Sequence, residues 1–201
     1  MSEELDGLEP LQSVLNRDER WCALGNRSLE QHHTLIAQYS LHAGVPEQVA
    51  QQYENARNTW LYAFFSYRLL QVALMQVHVA GEAAIKARAK AEGVDTAKTS
   101  LKVLMDMALD RRWLLDTNFE VTARRAEREA EQLKNLRFMG VDRSPFVGPL
   151  HEQDYAKRLV DAFRHIRNSL AHGEVLLDPN LGWAFLAVRD LINQLFPLPT
   201  T

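Results

Sequence analysis

The residues best suited to chemistry in this chain lie in one short segment, positions 163 to 173, with the sequence FRHIRNSLAHG. Arg167 can hold a phosphate through paired N–H donors, and His172 can move protons near neutral pH. Asn168 can orient a hydroxyl or a phosphate oxygen through either end of its amide. These residue types, so close together, predict a site that handles phosphate groups.

The segment lies near the end of an amphipathic helix that we predict over Glu152–Ala171. The core-facing residues of this helix recur at spacings of three and four; they are Tyr155, Leu159, Phe163, Ile166 and Leu170. At about 100° per residue, Asn168 and His172 project away from this stripe, whereas Arg167 borders the core. We therefore expect the amide and the imidazole to face away from the core.

Arg167 and His172 are five residues apart in the sequence. On an unbroken helix their directions differ by about 140°, so the two side chains would not meet on one small ligand. Either the helix ends before His172, for which Gly173 is a natural C-terminal signal, or a second copy of the chain supplies the complementary groups across a two-fold axis. The sequence leaves both explanations open.

Length and composition limit the class of protein. A chain of 201 residues with 46% hydrophobic content can build one well-filled domain, with or without a small extension. The net charge of -3 argues against a general polyanion binder, so any contact with nucleic acid must be local. The acidic N-terminus does not resemble a secretion signal, and the single cysteine, Cys22, excludes an intrachain disulfide framework. We expect a soluble cytoplasmic protein.

The composition and the lack of alternating strand patterns predict an all-α fold. We divide the chain into an acidic N-terminal extension over residues 1–45, partly helical at Glu30–Leu41, and a helical bundle domain over residues 46–201. The helical pattern from Pro46 to Glu92 would make a rod of roughly 70 Å, so we expect a break at Gly81 or within Asn55–Asn58. Further elements are expected over Thr96–Ala108, Phe119–Phe138 and Leu181–Phe196, with a connector at Gly140–Pro149.

The most apolar stretch, Trp60–Ala80, is interrupted by polar residues that include Arg68 and His78. It is therefore expected to be a buried helix of a soluble bundle with neighbours on every side, and we expect no contact with a membrane.

At the motif, the chain resembles HEPN domains, named for higher eukaryotes and prokaryotes nucleotide-binding. Their signature is an Arg, commonly followed by a polar residue such as Asn, and a His after four to six intervening positions. Four residues separate Arg167 from His172 here, and Gly173 completes the Arg-Asn-x-x-Ala-His-Gly form of many bacterial members. The wider pattern agrees, with a preceding core helix that contains Glu82–Lys86 and a closing helix over Ala187–Phe196.

The resemblance implies a long core helix in a HEPN-like bundle that forms a homodimer through the motif-bearing face. In many members this creates a composite, metal-independent endoribonuclease site. His172 would be the general acid or base, Arg167 the phosphate clamp and Asn168 the positioning group, with Ser169 and Gly173 in support. RNA would be the substrate, without metal or other cofactor, and a protein antitoxin or regulator would be a partner in a toxin–antitoxin or antiphage setting.

A noncatalytic interpretation stands beside this one. Some HEPN domains are dimerisation or binding modules, and Arg167, Asn168 and His172 would then stabilise a dimer or hold a nucleotide or a partner. Basic residues at a helix C-terminus are also favourable for the helix dipole alone.

Other candidate sites are weaker. Three histidines, His32, His33 and His42, lack the spacing of a metal site, and the segment that begins at His151 departs from the zinc-protease pattern at its fifth position. Glu82 and Lys86 stand four apart and are expected to pair structurally, unless the glutamate meets a buried arginine instead. The basic run around Arg124 alternates with glutamates and is typical of a solvated helix face.

Overall fold

A computed structural model describes residues 7–25, 27–125, 127, 152–173 and 175–198. Within these ranges the chain forms helices, turns and irregular segments without any strand, which confirms the all-α class. The α-helices are α1 (Leu29–Ala37), α2 (Glu47–Tyr62), α3 (Leu69–Ala91), α4 (Leu101–Asp110), α5 (Asp154–Ala171) and α6 (Gly182–Leu195), with 3-10 helices at Glu19–Leu24 and Asp116–Asn118. Residues 120–125 and 127 are also helical.

Helix α3 is the centre of the bundle. It packs against α2, α4, α5 and α6, and it is 23 residues long. Its inward positions are fully buried; they are Leu70, Ala73, Leu74, Val77, Ala80, Ala84, Ile85 and Ala89. The small residues among them let neighbouring helices approach closely, so α3 fixes the positions of the helices around it.

The break in the long helical pattern lies at residues 63–68, between α2 and α3, so both predicted positions are wrong. The N-terminal segment explains the location, because it satisfies backbone groups of this turn. Asp18 accepts a hydrogen bond from the Tyr67 N–H (2.8 Å), and the indole of Trp21 donates to the Ala63 carbonyl (2.8 Å). These partners lie far upstream, where no local pattern reveals them.

Several predicted bounds shift or lie outside the described residues. Helix α1 ends at Ala37 rather than Leu41, and α4 begins only at Leu101, after Ser100 accepts a hydrogen bond from the Val103 N–H (3.4 Å). The predicted helix over Phe119–Phe138 is described only as far as residue 127, and the connector Gly140–Pro149 lies outside the described ranges.

Helices α5 and α6 agree closely with the predicted ranges. Among the described residues, no helix is long and apolar enough to cross a membrane.

The start of α5, the helix that carries the motif, is held by the segment before it. Asp116 accepts hydrogen bonds from the backbone N–H groups of Tyr155 (2.7 Å) and Ala156 (2.9 Å). The Gln153 amide donates to the carbonyl of Leu114 (3.0 Å). A carboxylate therefore satisfies donors at the positive end of the helix dipole, which fixes where α5 begins.

Candidate functional site

Helix α5 meets α3 at a close contact between Phe163 and Gly81. A β-carbon at position 81 would lie 2.8 Å from Phe163 Cε2, closer than van der Waals contact allows. The imidazole of His78 lies on the same ring, with 4.7 Å between the ring centroids. This contact sets the separation of the two helices next to Glu82 and Arg167.

Glu82 binds two cations, one with each carboxylate oxygen. Its Oε2 lies 3.5 Å from Nε of Arg167, and its Oε1 accepts a hydrogen bond from Nζ of Lys86 at 2.6 Å. The predicted pair of Glu82 and Lys86 is therefore confirmed, and the glutamate meets an arginine as well. Because the carboxylate has a relative exposure of only 14%, against 42% for Arg167, the ion pair is partly shielded from water.

The recorded contact with Glu82 is made by Nε of the Arg167 guanidinium. Within the part of the chain that the structure describes, Nη1 and Nη2 have no hydrogen-bond partner. These terminal nitrogens form the fork that matches two oxygens of a phosphate. Arg167 is thus paired with Glu82 near Nε, and no described residue binds its terminal nitrogens.

The exposure of the other motif residues agrees with the sequence analysis. Asn168 and His172 are exposed, and Ser169 is half-buried. The side chains of Asn168 and His172 make no hydrogen bond with any described residue. Within the described ranges, both groups are therefore exposed and make no side-chain hydrogen bond that a ligand would have to replace.

The helix ends before His172, and Gly173 provides the stop. Gly173 has a φ of 84°, a left-handed conformation that favours glycine at a helix C-terminus. His172 is the C-cap, yet its N–H still donates to the Asn168 carbonyl (2.9 Å). Its side chain therefore leaves the helix in about the direction of a regular last turn, roughly 140° from that of Arg167. The early helix end therefore gives no geometric reason for the two side chains to meet on one ligand.

One face of α3 that continues the line of Glu82 and Lys86 is apolar and open to solvent. Val72, Met75 and Val79 have relative exposures of 42%, 46% and 43%. These positions follow one another at spacings of three and four and reach Glu82 three residues later, so they share its side of the helix. The expectation that α3 has neighbours on every side is wrong for this face, because apolar periodicity does not distinguish a covered face from an open one.

Two histidines among the weaker candidates contact backbone carbonyls. His32 is buried, with Nε2 within 3.0 Å of the Trp60 carbonyl, and His42 contacts the backbone of Asn193. In the described ranges, no three histidine, cysteine, aspartate or glutamate side chains come together as metal ligands. Arg124 pairs with Glu120, whereas Glu129, Glu131 and His151 lie outside the described residues.

Two features of this site were not identified from the sequence. The first is that the arginine beside Glu82 is Arg167, because the lone carboxylate within an apolar helix suggested an arginine partner but not which one. The second is the open apolar face of α3.

Comparison with family models, with curated proteins and with solved structures gives no match for this chain.

Proposed function

We propose that this protein is a metal-independent endoribonuclease of HEPN type, with an active site composed of groups from two copies of the chain. The observation that carries the proposal is the arrangement at the end of α5. Arg167 pairs with Glu82, its terminal nitrogens make no hydrogen bond with a described residue, and Asn168 and His172 are exposed at the end of the same helix. This set of groups suits the cleavage of a phosphodiester that already contains its own nucleophile.

In the proposed reaction, the 2'-hydroxyl of a ribose attacks the adjacent phosphorus. His172 of one copy accepts the hydroxyl proton, and His172 of the other copy donates a proton to the departing 5'-oxygen. Arg167 stabilises the charge that develops on the phosphoryl oxygens, and Asn168 orients the phosphate. The products are a 2',3'-cyclic phosphate and a 5'-hydroxyl, so no water and no metal-bound hydroxide enters the bond-breaking step.

Two features of the protomer support the need for a second copy. Each chain places one histidine in the motif, whereas the reaction uses a base and an acid. The directions of Arg167 and His172 also diverge by about 140° along the helix, which argues against their meeting on one phosphate within a protomer. A two-fold axis close to the end of α5 supplies the missing groups.

The open face of α3 favours self-association on the same side of the molecule. Val72, Met75 and Val79 lead directly to Glu82, the residue that contacts Arg167. An apolar stripe beside a polar site is the usual composition of an interface core with a functional rim.

The test compares RNA cleavage by the wild type and by His172→Ala in the presence of EDTA, with the product ends analysed for 2',3'-cyclic phosphate. General acid–base groups contribute about 100-fold to 10,000-fold, so we expect at least a 100-fold loss. His165→Ala is the matched control, because His165 is also exposed on α5 but precedes the motif. It should cleave like the wild type.

Mass measurement in solution and circular dichroism show whether the variants remain folded dimers. A folded, dimeric His172→Ala protein that cleaves at the wild-type rate would rule out the role of His172. A wild-type protein that cleaves none of a broad panel of RNAs would favour the noncatalytic binding module instead.

A further inference from the structure

We infer that Glu82 is a positioning residue that holds Arg167 and Lys86 as a pair of cations for one RNA phosphate, and that Lys86 is a substrate-binding residue outside the motif. This inference rests on the proposed function and deepens it. It assigns a role to two residues of α3 that the pattern of the motif helix does not contain.

Glu82, Lys86 and Arg167 form a charge cluster with a net positive charge. The carboxylate of Glu82 places Lys86 on one oxygen and Arg167 on the other, which leaves a formal charge of +1 for the three groups together. The two cationic groups have relative exposures of 44% and 42%, whereas the carboxylate has 14%. A ligand approaching from solvent therefore meets the cations, with the anion behind them.

The backbone around Glu82 is rigidly packed. Glu82 follows Gly81, whose backbone packs directly against the ring of Phe163. Two and three residues after Glu82 come Ala84 and Ile85, which are fully buried. The backbone that carries the carboxylate is therefore fixed relative to α5. With Arg167 held in place before the substrate arrives, its cation stabilises transition-state charge without the cost of reorganisation, while Lys86 contributes to binding the substrate.

Other carboxylates in the described chain also bind two cations, which allows a comparison. Glu92 pairs with Arg88 and Arg111, but both guanidinium groups also lie over the ring of Trp113, at 5.4 and 5.8 Å from its centroid. Arg88 and Arg111 therefore pack against an aromatic ring in addition to forming the ion pair. Arg167 has no such second partner among the described residues, and its terminal nitrogens are open.

The experiment uses Glu82→Gln, which keeps the size of the side chain and removes its charge. The full-length variant is assayed for kcat and KM on a cleavable RNA, and for affinity on the same oligonucleotide with 2'-deoxy sugars, which cannot be cleaved. We expect kcat to fall by about 10-fold or more, as for the loss of one positioned contact, while affinity is unchanged or tighter because a negative charge has been removed. If Glu82 does not position Arg167, Glu82→Gln should leave kcat unchanged, and that result would overturn the inference.

Lys86→Gln tests the second half of the inference. Loss of a phosphate contact should raise KM by about 5-fold or more, leave kcat within about two-fold, and reduce the slope of log affinity against log salt concentration by about 0.7, the value for one contact with a single strand. Unchanged KM and an unchanged slope would overturn the assignment of Lys86.

Glu92→Gln is the matched control, because it makes the same chemical change at the end of the same helix. It should retain the wild-type kcat. An equal loss in both variants would overturn the positioning role, since the effect would then follow from any perturbation of α3.

A readout that does not depend on activity separates this inference from the proposed function. The Nε–Hε signal of Arg167 in a ¹⁵N-labelled protein reports whether the guanidinium is held. We expect a resolved signal in the wild type and in Glu92→Gln, and its loss or shift in Glu82→Gln. If the wild type cleaves no RNA, the proposed function fails while this signal still tests the hold on Arg167; an identical signal in Glu82→Gln overturns it.

Discussion

The ring of Phe163 occupies the space that a β-carbon at position 81 would need, with 2.8 Å between that position and Phe163 Cε2. Gly81 therefore permits the close crossing of α3 and α5, although glycine ordinarily weakens a helix interior by about 1 kcal/mol relative to alanine. The next residue on α3 is Glu82, so the same crossing brings the carboxylate within reach of Arg167.

We expect Gly81→Ala to destabilise the protein by about 1–3 kcal/mol, since the added methyl group overpacks the crossing. The direction of the stability change is informative, because Gly→Ala in a helix interior without such a contact would stabilise the protein by about 1 kcal/mol. Urea unfolding measures the effect. As a control, Phe163→Leu removes the aromatic ring from the crossing. Adding Gly81→Ala to Phe163→Leu should lower stability by less than adding Gly81→Ala to the wild type. If Gly81→Ala alone is as stable as the wild type, the helices do not pack this closely.

Asp116→Ala should weaken the start of α5. The carboxylate accepts the N–H groups of Tyr155 and Ala156, and loss of a helix-capping acceptor typically costs about 0.5–2 kcal/mol. The free energy of unfolding, measured by urea titration, should fall by that amount. Asp110→Ala, at the exposed end of α4, is the control and should change stability by less than about 0.5 kcal/mol. Equal effects of the two substitutions would contradict the capping role of Asp116.

Acidification should destabilise the fold in part through His78. Burial lowers the pKa of His78, and the hydrogen bond to the Leu74 carbonyl opposes this only in part. The unfolded chain, with an ordinary histidine pKa of about 6.5, therefore takes up a proton before the folded protein does. The contribution of His78 to the free energy of unfolding is therefore complete above about pH 6.5. It decreases as the pH falls from there toward the lowered pKa of the folded state, by at most about 1.4 kcal/mol per pH unit for one proton.

Unfolding in urea at pH 7.5, 6.5 and 5.5 checks this expectation. His78→Met, which replaces the imidazole by an apolar side chain, should show a smaller loss of stability over the same range. The pKa of His32 is lowered by burial too, so part of the loss should persist in the variant. The same pH dependence in both proteins would rule out the contribution of His78.

The parts of the fold that the sequence predicted well are those with a sustained local pattern. Helix α5 has a continuous apolar stripe, and Gly173 marks its end with a left-handed backbone conformation. The break between α2 and α3 was misplaced because its hydrogen-bond partners, Asp18 and Trp21, come from another part of the chain. Glycine at position 81 signalled a helix crossing rather than a break.

The candidate site divides in the same way. The exposure of Asn168 and His172, and the position of Arg167 beside the core, follow from helical periodicity alone. The contact with Glu82 does not, because it joins two helices that are distant in the sequence. A single sequence records which residues share a helix face, but it does not record which helix lies opposite that face.

The hold of Asp116 on the first turn of α5 has a consequence for protein engineering. A motif helix transplanted alone into another bundle would lose the carboxylate that begins the helix and the glutamate that holds its arginine. The smallest transferable unit must therefore include α3, the loop around Asp116 and α5 together. Chimeras that exchange only residues 163–173 should keep the motif sequence but lose the arrangement of its side chains.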